Sequence, residues 1–463
     1  MKTKTIATSA LGFIALLVAC GWYLKTSAIE TVYPSVEEID RIGQANGMTD
    51  CFWVTYTGKG KGFGYAYPDS GGANYWKSQF KLPAGSRLDV VGEFPHARHL
   101  SFNVYDEIGQ PVDRLNDVLI AADESAVNPF IPGNARDDAG RGYSMTLLPA
   151  AITAGVPMAE RDRTRQGNTL LAPTDSELVQ LVMRIYVPDD ALTAKGGVEL
   201  PRARLTLADG KTLEGDELCK AIVVKEHIVR DRHLSRATVK ALAALDNPTA
   251  PYHPAQTEPR WNAFRNMGLS FASLLDGTSW EWLKGYMSQK LSGGFYSTLD
   301  NTYLYAYVDK RYGDVLTIQG RAPSTPVTAK GDPLMGTGQV RYWSFCQNRS
   351  LYDTSVDQCV YDEKVAKNDQ GEYLIAMSTP ELRPSNAKAE CGVTWMPWGG
   401  GDGIDNPHGG LLLHRHMIAA PDFKESIFAI QAEGEEKQVM GPYYPRSAYV
   451  AKAAFEARGC PVK

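Results

Sequence analysis

Residues 94–106 read FPHARHLSFNVYD. Two histidines and an arginine stand in front of a run with strand chemistry, and how they are read decides what kind of protein this is. In an extended strand alternate residues point to opposite faces. His96 and Arg98 then share a face with Leu100, Phe102 and Val104, while His99 lies on the other with Ser101, Asn103 and Tyr105. Histidines on opposite faces do not grip one metal. The stretch is a strand first, and a site only along its His99 face.

Working outward, the neighbouring segments YWKSQFKL, RLDVVGEF and ELVQLVMRIYV alternate or run apolar over strand lengths, and Pro83-Ala84-Gly85 and Ala208-Asp209-Gly210 punctuate them as turns. A short helix is expected at PSVEE, with Ser35 as its N-cap. From about Asp216 to Lys290 the period changes. LSRATVKALAAL and SWEWLKGYMSQKL are helical in pattern, with the Pro-rich NPTAPYHPAQTEP between them. Strand texture returns at Phe295, and a helix over SAYVAKAAFEARG closes the chain.

The two strand-rich parts match each other in order. ANYWKSQF (73–80) corresponds to DNTYLYAY (300–307), RLDVVGEFP (87–95) to DVLTIQGRAP (314–323), and RHLSF (98–102) to RYWSF (341–345). GYSMTLLP (142–149) then corresponds to EYLIAMSTP (372–380), and LVMRIYVPD (181–189) to LLHRHMIAAPD (412–422). Self-similarity in fixed order is the mark of a repeated supersecondary unit. The expected fold is mainly β: two related antiparallel β-sandwich modules, 29–215 and 295–463, joined by a helical connector, 216–294, behind a targeting segment, 1–28.

On the stretches GANYW, FPHARHLSFNVYD and RYWSF, and on the paired strand endings RIYVPD and RHMIAAPD, the chain resembles the tandem β-sandwich proteins of bacterial envelopes classed as paired domains of unknown function. The resemblance spans most of residues 60–200 and 295–425. It implies antiparallel sandwiches around a helical middle, and it brings no reaction, substrate or catalytic residue.

Lys2 and Lys4 precede an apolar run from Ile6 to Leu24, which is the anatomy of an export signal. Leu17-Val18-Ala19-Cys20 has the form of a lipobox, with Cys20 as the lipidation site; an uncleaved membrane anchor and cleavage after Ala28 are the alternatives. All three place the body in the cell envelope outside the cytoplasm, tethered to the membrane or released. Without Cys20, six cysteines remain. In an oxidising compartment they can make three bridges. Cys346 and Cys359 suit one hairpin, and Cys391–Cys460 and Cys51–Cys219 would tie chain ends to module bodies. The formal charge of −5 and the absence of a dense basic run argue against nucleic acid as a partner.

Arginines recur at matched places: Arg98 and Arg341 near one end of each module, Arg184 and Arg415 near the other. A packed arginine needs a partner. Either these four form structural ion pairs with acids such as Asp106 or Asp113, or they clamp an anionic ligand. The ligand version gathers Arg98, His99, Asn103, Arg415, His416 and Trp398 at the interface of the two modules, around a small molecule, lipid or glycan. His414-Arg415-His416 puts two histidines on one strand face. It follows the loop WMPWGGGDGIDNPHGG, which offers Trp395, Asp402, Asp405 and His408. His408, His414 and His416 are therefore the metal candidates, for a divalent ion assisting hydrolysis or elimination; no other cofactor is expected. GxSxG, HExxH and Walker patterns are absent. Ligand binding, a metal-assisted enzyme and a purely structural envelope protein are the three functions left open.

Overall fold

The computed structural model describes residues 29–45, 48, 50–58, 61–62, 72–107, 109–151, 158–244, 254, 257–264, 298–353 and 355–460. The targeting segment with Cys20, and the helical pattern SWEWLKGYMSQKL, lie outside the described residues.

Sixteen strands build the frame. In the first half these are β1 (Ala73–Phe80), β2 (Arg87–Glu93), β3 (Ala97–Tyr105), β4 (Pro111–Asn116), β5 (Gly142–Ala150), β6 (Thr169–Pro173), β7 (Val179–Pro188) and β8 (Arg202–Thr206). The second half holds β9 (Asn301–Asp309), β10 (Val315–Arg321), β11 (Val340–Asn348), β12 (Val356–Tyr361), β13 (Glu372–Ser378), β14 (Val393–Pro397), β15 (Gly409–Ala419) and β16 (Arg446–Val450).

One sheet of the first half runs β1-β7-β3-β4, and one sheet of the second runs β9-β15-β11-β12. Their partner sheets run β8-β2-β5-β6 and β16-β10-β13-β14. These four-strand runs share one order; the first half adds Thr55–Gly58 and Lys61–Gly62 beyond β1 and Thr212–Glu214 beyond β8, and the second adds Asn262–Ala263 beyond β9. Even the exceptional parallel pairs, β5 with β6 and β13 with β14, fall at matching places in otherwise antiparallel sheets.

Each half closes a core between its two sheets. Phe80, Leu88, Val90, Leu100, Phe102, Leu147, Leu170 and Leu181 fill the first. Leu304, Leu316, Ile318, Trp343, Phe345, Ile375 and Leu412 fill the second. Every residue of β3 and of β11 is buried. Only one face of each strand looks into its own core, so the other must be covered by something else. That second burial is what creates the interface between the halves.

All three disulfides form with the pairings the spacing allowed: Cys51–Cys219, Cys346–Cys359 and Cys391–Cys460. They are a mark of an oxidising, extracytoplasmic compartment. Cys346 and Cys359 face each other directly across β11 and β12. Replacing both by serine is expected to cost about 3 kcal/mol, the loop-closure value for so short a ring, and a denaturant titration measures it.

Ser35 and Ser235 cap their helices as their types demand: Ser35 Oγ accepts from Glu38 N at 3.2 Å, and Ser235 Oγ from Thr238 N at 3.2 Å. Two local expectations fail. SAYVAKAAFEARG is helical only over Lys452–Glu456, because Arg446–Val450 pairs with β10 and the sheet overrides local propensity. Within the expected helical connector, Asp231–Leu234 is a strand, recruited by Ile29–Val32. No described helix is long and apolar enough to cross a membrane.

Candidate functional site: the joint between the two halves

Arg98 sits at the start of β3, fully buried, at the end of the first core. Its guanidinium does not turn to Asp106 or Asp113. It crosses to the second half, where Nη1 lies 2.5 Å from Asp362 Oδ1, Nη2 meets Glu363, and Nε donates to Thr328 Oγ1 at 3.1 Å. Burial opposes the charge, but Asp362 and Glu363 outweigh it and raise the guanidinium's affinity for its proton.

The second half returns the gesture. Arg341, at the matching place in β11, reaches Asp117 of the first half at 3.5 Å and donates to the Phe130 carbonyl at 3.3 Å. Asp117 and Asp362 each follow the last strand of their hairpins, β4 and β12. Each also fixes the strand that carries the arginine: Leu100 N donates to Asp117 Oδ2 at 3.1 Å, and Trp343 N to Asp362 Oδ2 at 3.2 Å. Two arginines and two aspartates are thus exchanged reciprocally between the halves. The expected acids are corrected accordingly: Asp113 is taken by Arg165 at 2.9 Å, and Asp106 accepts from Gln110 N at 2.7 Å.

His99 Nδ1 donates to Asp117 Oδ2 at 2.8 Å, and its ring meets Tyr186 edge-on. Burial would push the Asp117 carboxyl up; Arg341 and His99 together outweigh it and hold it below the ordinary carboxylate range. Tyr342, at the place corresponding to His99, packs on Tyr186 and Tyr361. Asn103 is satisfied by Ser101 and Thr298, at 3.2 and 3.0 Å.

Arg184 and Arg415 occupy matching places on β7 and β15, opposite Ser101 and Ser344 and beside Tyr75 and Tyr303. Both point away from their own cores and into a group of tyrosines. Arg184 donates to Tyr105 Oη at 2.6 Å and lies over the Tyr75 ring; Arg415 donates to Tyr186 Oη at 2.9 Å and lies over the Tyr303 ring. Burial opposes the Arg184 charge, and the surrounding phenols more than compensate it. Tyr186 from the first half thereby holds an arginine of the second. A cavity of about 10 Å³ lies here, lined by Tyr303, Ser344, Asn348, Leu413 and Arg415. That is room for about one water molecule.

The metal candidates are not brought together. His414 and His416 do share a face, as the pleat requires, but it is the one turned into the second core. His414 stacks on Phe345 at 4.1 Å between ring centroids and donates from Nδ1 to the Ser344 carbonyl at 3.1 Å. His416 lies 4.8 Å from it, and its Nδ1 accepts from Ile427 N at 3.3 Å. His408 stands six residues before His414 on the same line of chain, roughly 20 Å away at a strand's rise of about 3.3 Å per residue. Among the described residues no three His, Cys, Asp or Glu side chains are placed to hold a metal ion.

Burial drives the His414 pKa down to about 3 and that of His416 well below its usual value. Trp398 is buried in the same core, so it offers no stacking surface. Asp402 spends its carboxylate on the backbone of its own loop, accepting from Ile404, Asp405 and Asn406. Asp405 pairs with Arg236 at 3.0 Å.

Of the residues read as ligand-binding, Arg98, His99, Asn103 and Arg415 therefore do meet at the joint, whereas His416 and Trp398 belong to a core behind it. Asp117, Asp362 and Tyr186 are the residues that sequence reasoning missed. Asp117 and Asp362 carry one legible signal: each stands just after the hairpin partner of an arginine-bearing strand.

No family model matches the chain, and no curated protein matches it. Among solved structures it is similar to an uncharacterized protein from Burkholderia cenocepacia, with a TM-score of 0.45 and 13% identity over 90% of this chain and 88% of that one. It is also similar to the VPA0106 protein of Vibrio parahaemolyticus, with a TM-score of 0.38 and 10% identity over 89% of this chain and 96% of that one. These neighbours are bacterial proteins without an assigned function.

Proposed function

We propose that this chain is an exported structural protein of the cell envelope, tethered to the membrane through residues 1–28, in which two β-sandwich modules act as one rigid body. The observation that carries the reading is the reciprocal exchange of Arg98 and Arg341 for Asp362 and Asp117. Side chains that would have to be free to clamp an anion are committed to the opposite module. The strand faces that would line a cleft are in contact instead. The enzyme reading loses its support in the same way, since His414 and His416 are neutral, enclosed and far from His408.

A joint of this kind makes the modules melt together. Calorimetry of the intact chain is expected to give one cooperative transition, whose van't Hoff and calorimetric enthalpies agree. Two separated transitions, each sized for one sandwich, would sink the rigid-body reading.

A second reading keeps a ligand at the joint. Its support is the small cavity beside Arg415, Ser344 and Tyr303, which Cys346, Val356 and Leu413 also line. At about 10 Å³ that cavity admits a glycan, lipid or other small molecule only if the modules part. In that case saturating ligand would separate the coupled melting into two steps.

A further inference from the structure

Described residues cover only half of the outer face of the second module's smaller sheet. At one end Val315 of β10 packs with Ala376, Val393 and Phe455, under the C-terminal helix Lys452–Glu456 that Cys391–Cys460 ties down. Two and four residues further along β10 the same face turns polar, with Thr317 and then Gln319. Across the edge strand β16 their register partners are Ala448 and Arg446. The disulfide-held cap stops where the polarity begins.

A groove of about 380 Å³ opens at this place, lined by Thr257, Glu258, Thr317, Gln319, Arg446 and Ser447 together with Ala448. The volume lies in the range of small-molecule sites. Its chemistry is one-sided in kind. Among the described residues no aromatic ring lines it to stack a sugar, and Ala448 is the one apolar side chain.

What it does offer is a pair of opposite charges. Arg446 is exposed and makes no ion pair or side-chain hydrogen bond with any described residue. Glu258 also lines the groove, half-exposed, and among the described residues Lys437 at 3.8 Å is its one ion-pair partner, a loose one. The remaining polar groups are less free. Thr317 Oγ1 donates to the Ala448 carbonyl at 3.1 Å, and Ser447 Oγ receives the Trp261 indole N–H at 2.9 Å. Gln319 has its amide uncommitted beside Arg446.

A guanidinium fork matches a carboxylate two bonds at a time, and a carboxylate in the same groove matches an ammonium. We infer that this groove binds a small zwitterion of the amino-acid class, its carboxylate on Arg446 and Gln319 and its ammonium on Glu258. The site stands apart from the joint between the modules and does not depend on how that joint is read.

The probe is a set of the common L-amino acids, presented at millimolar concentration to the full-length purified chain and followed by saturation-transfer NMR, then by calorimetric titration of the best binder. Saturable binding is expected, weakened about tenfold or more by Arg446→Gln and by Glu258→Gln, each of which removes one charge-assisted bond. The α-amide and the N-acetyl form of the same amino acid should lose as much. Both substitutions are at exposed positions, and an unchanged melting temperature checks that the fold is intact. No saturable binding by any amino acid overturns the proposal, as does binding that survives both substitutions. Binding that responds to Arg446→Gln but not to Glu258→Gln overturns the zwitterion in favour of a plain carboxylate.

Discussion

Arg98→Ala lowers the unfolding free energy by about 3–5 kcal/mol, as read from a urea titration. The substitution leaves Asp362, which has no exposed side-chain surface, without its counter-charge inside the protein. An unpaired buried carboxylate costs far more than a lost surface pair. Glu363 suffers less, because Thr328 N and Ala329 N still donate to it at 2.9 and 3.1 Å. The loss should therefore come mainly from Asp362, and a second change tests that origin. In the background of Arg98→Met, which keeps the stem's volume, Asp362→Asn should restore more than half of the lost stability. Additive losses would mean that the two side chains do not act as a pair. A cost of Arg98→Ala within about 0.5 kcal/mol, the size of an ordinary surface change, would remove the joint as a structural element.

Acidification from pH 7 to 4.5 destabilises the folded chain by about 3 kcal/mol through His414, with a further loss through His416. Burial holds His414 at about 3 and His416 well below the ordinary value of 6.5. Below pH 6.5 the unfolded chain takes up protons on these two side chains and the folded chain does not. Stability is thus fully present above pH 6.5 and is lost as pH falls toward the folded-state values. For His414, about two units of pH at about 1.4 kcal/mol per unit give the figure. The part of this window above about pH 5.5 lies clear of the carboxylates, whose ordinary values are near 4. His414→Phe preserves a ring against Phe345 and removes one titrating group, so the slope of stability against pH between about 6.5 and 5.5 should become shallower. An unchanged slope would show that the acid response arises elsewhere.

Much of the architecture was legible because the relevant signals are local. Pleat geometry alone set His99 apart from Arg98, and the structure keeps them on opposite faces, with Asp117 and Asp362 as their respective partners. It also put His414 and His416 together. It could not say which way they face, because both faces of β15 carry buried, largely apolar side chains. A strand buried on two sides has no polar face to give its orientation away. The residues drawn together around Arg98 and His416 are divided for that reason: Arg98 lies at the joint and His416 in the core behind it.

By itself the sequence determined the strand-rich character of both halves, the order of their matching segments and the one short-range bridge, Cys346–Cys359. Hydrophobic period, turn residues and ring-closure length are properties of short stretches of chain. Only the tertiary structure decided the partners of the arginines. Arg98 and Asp362 are 264 residues apart, and their pairing depends on one module turning a buried face to the other. No local preference encodes that meeting. It follows from the need to cover a second apolar and polar face on β3 and β11 and to neutralise, once water is gone, the charges those strands carry.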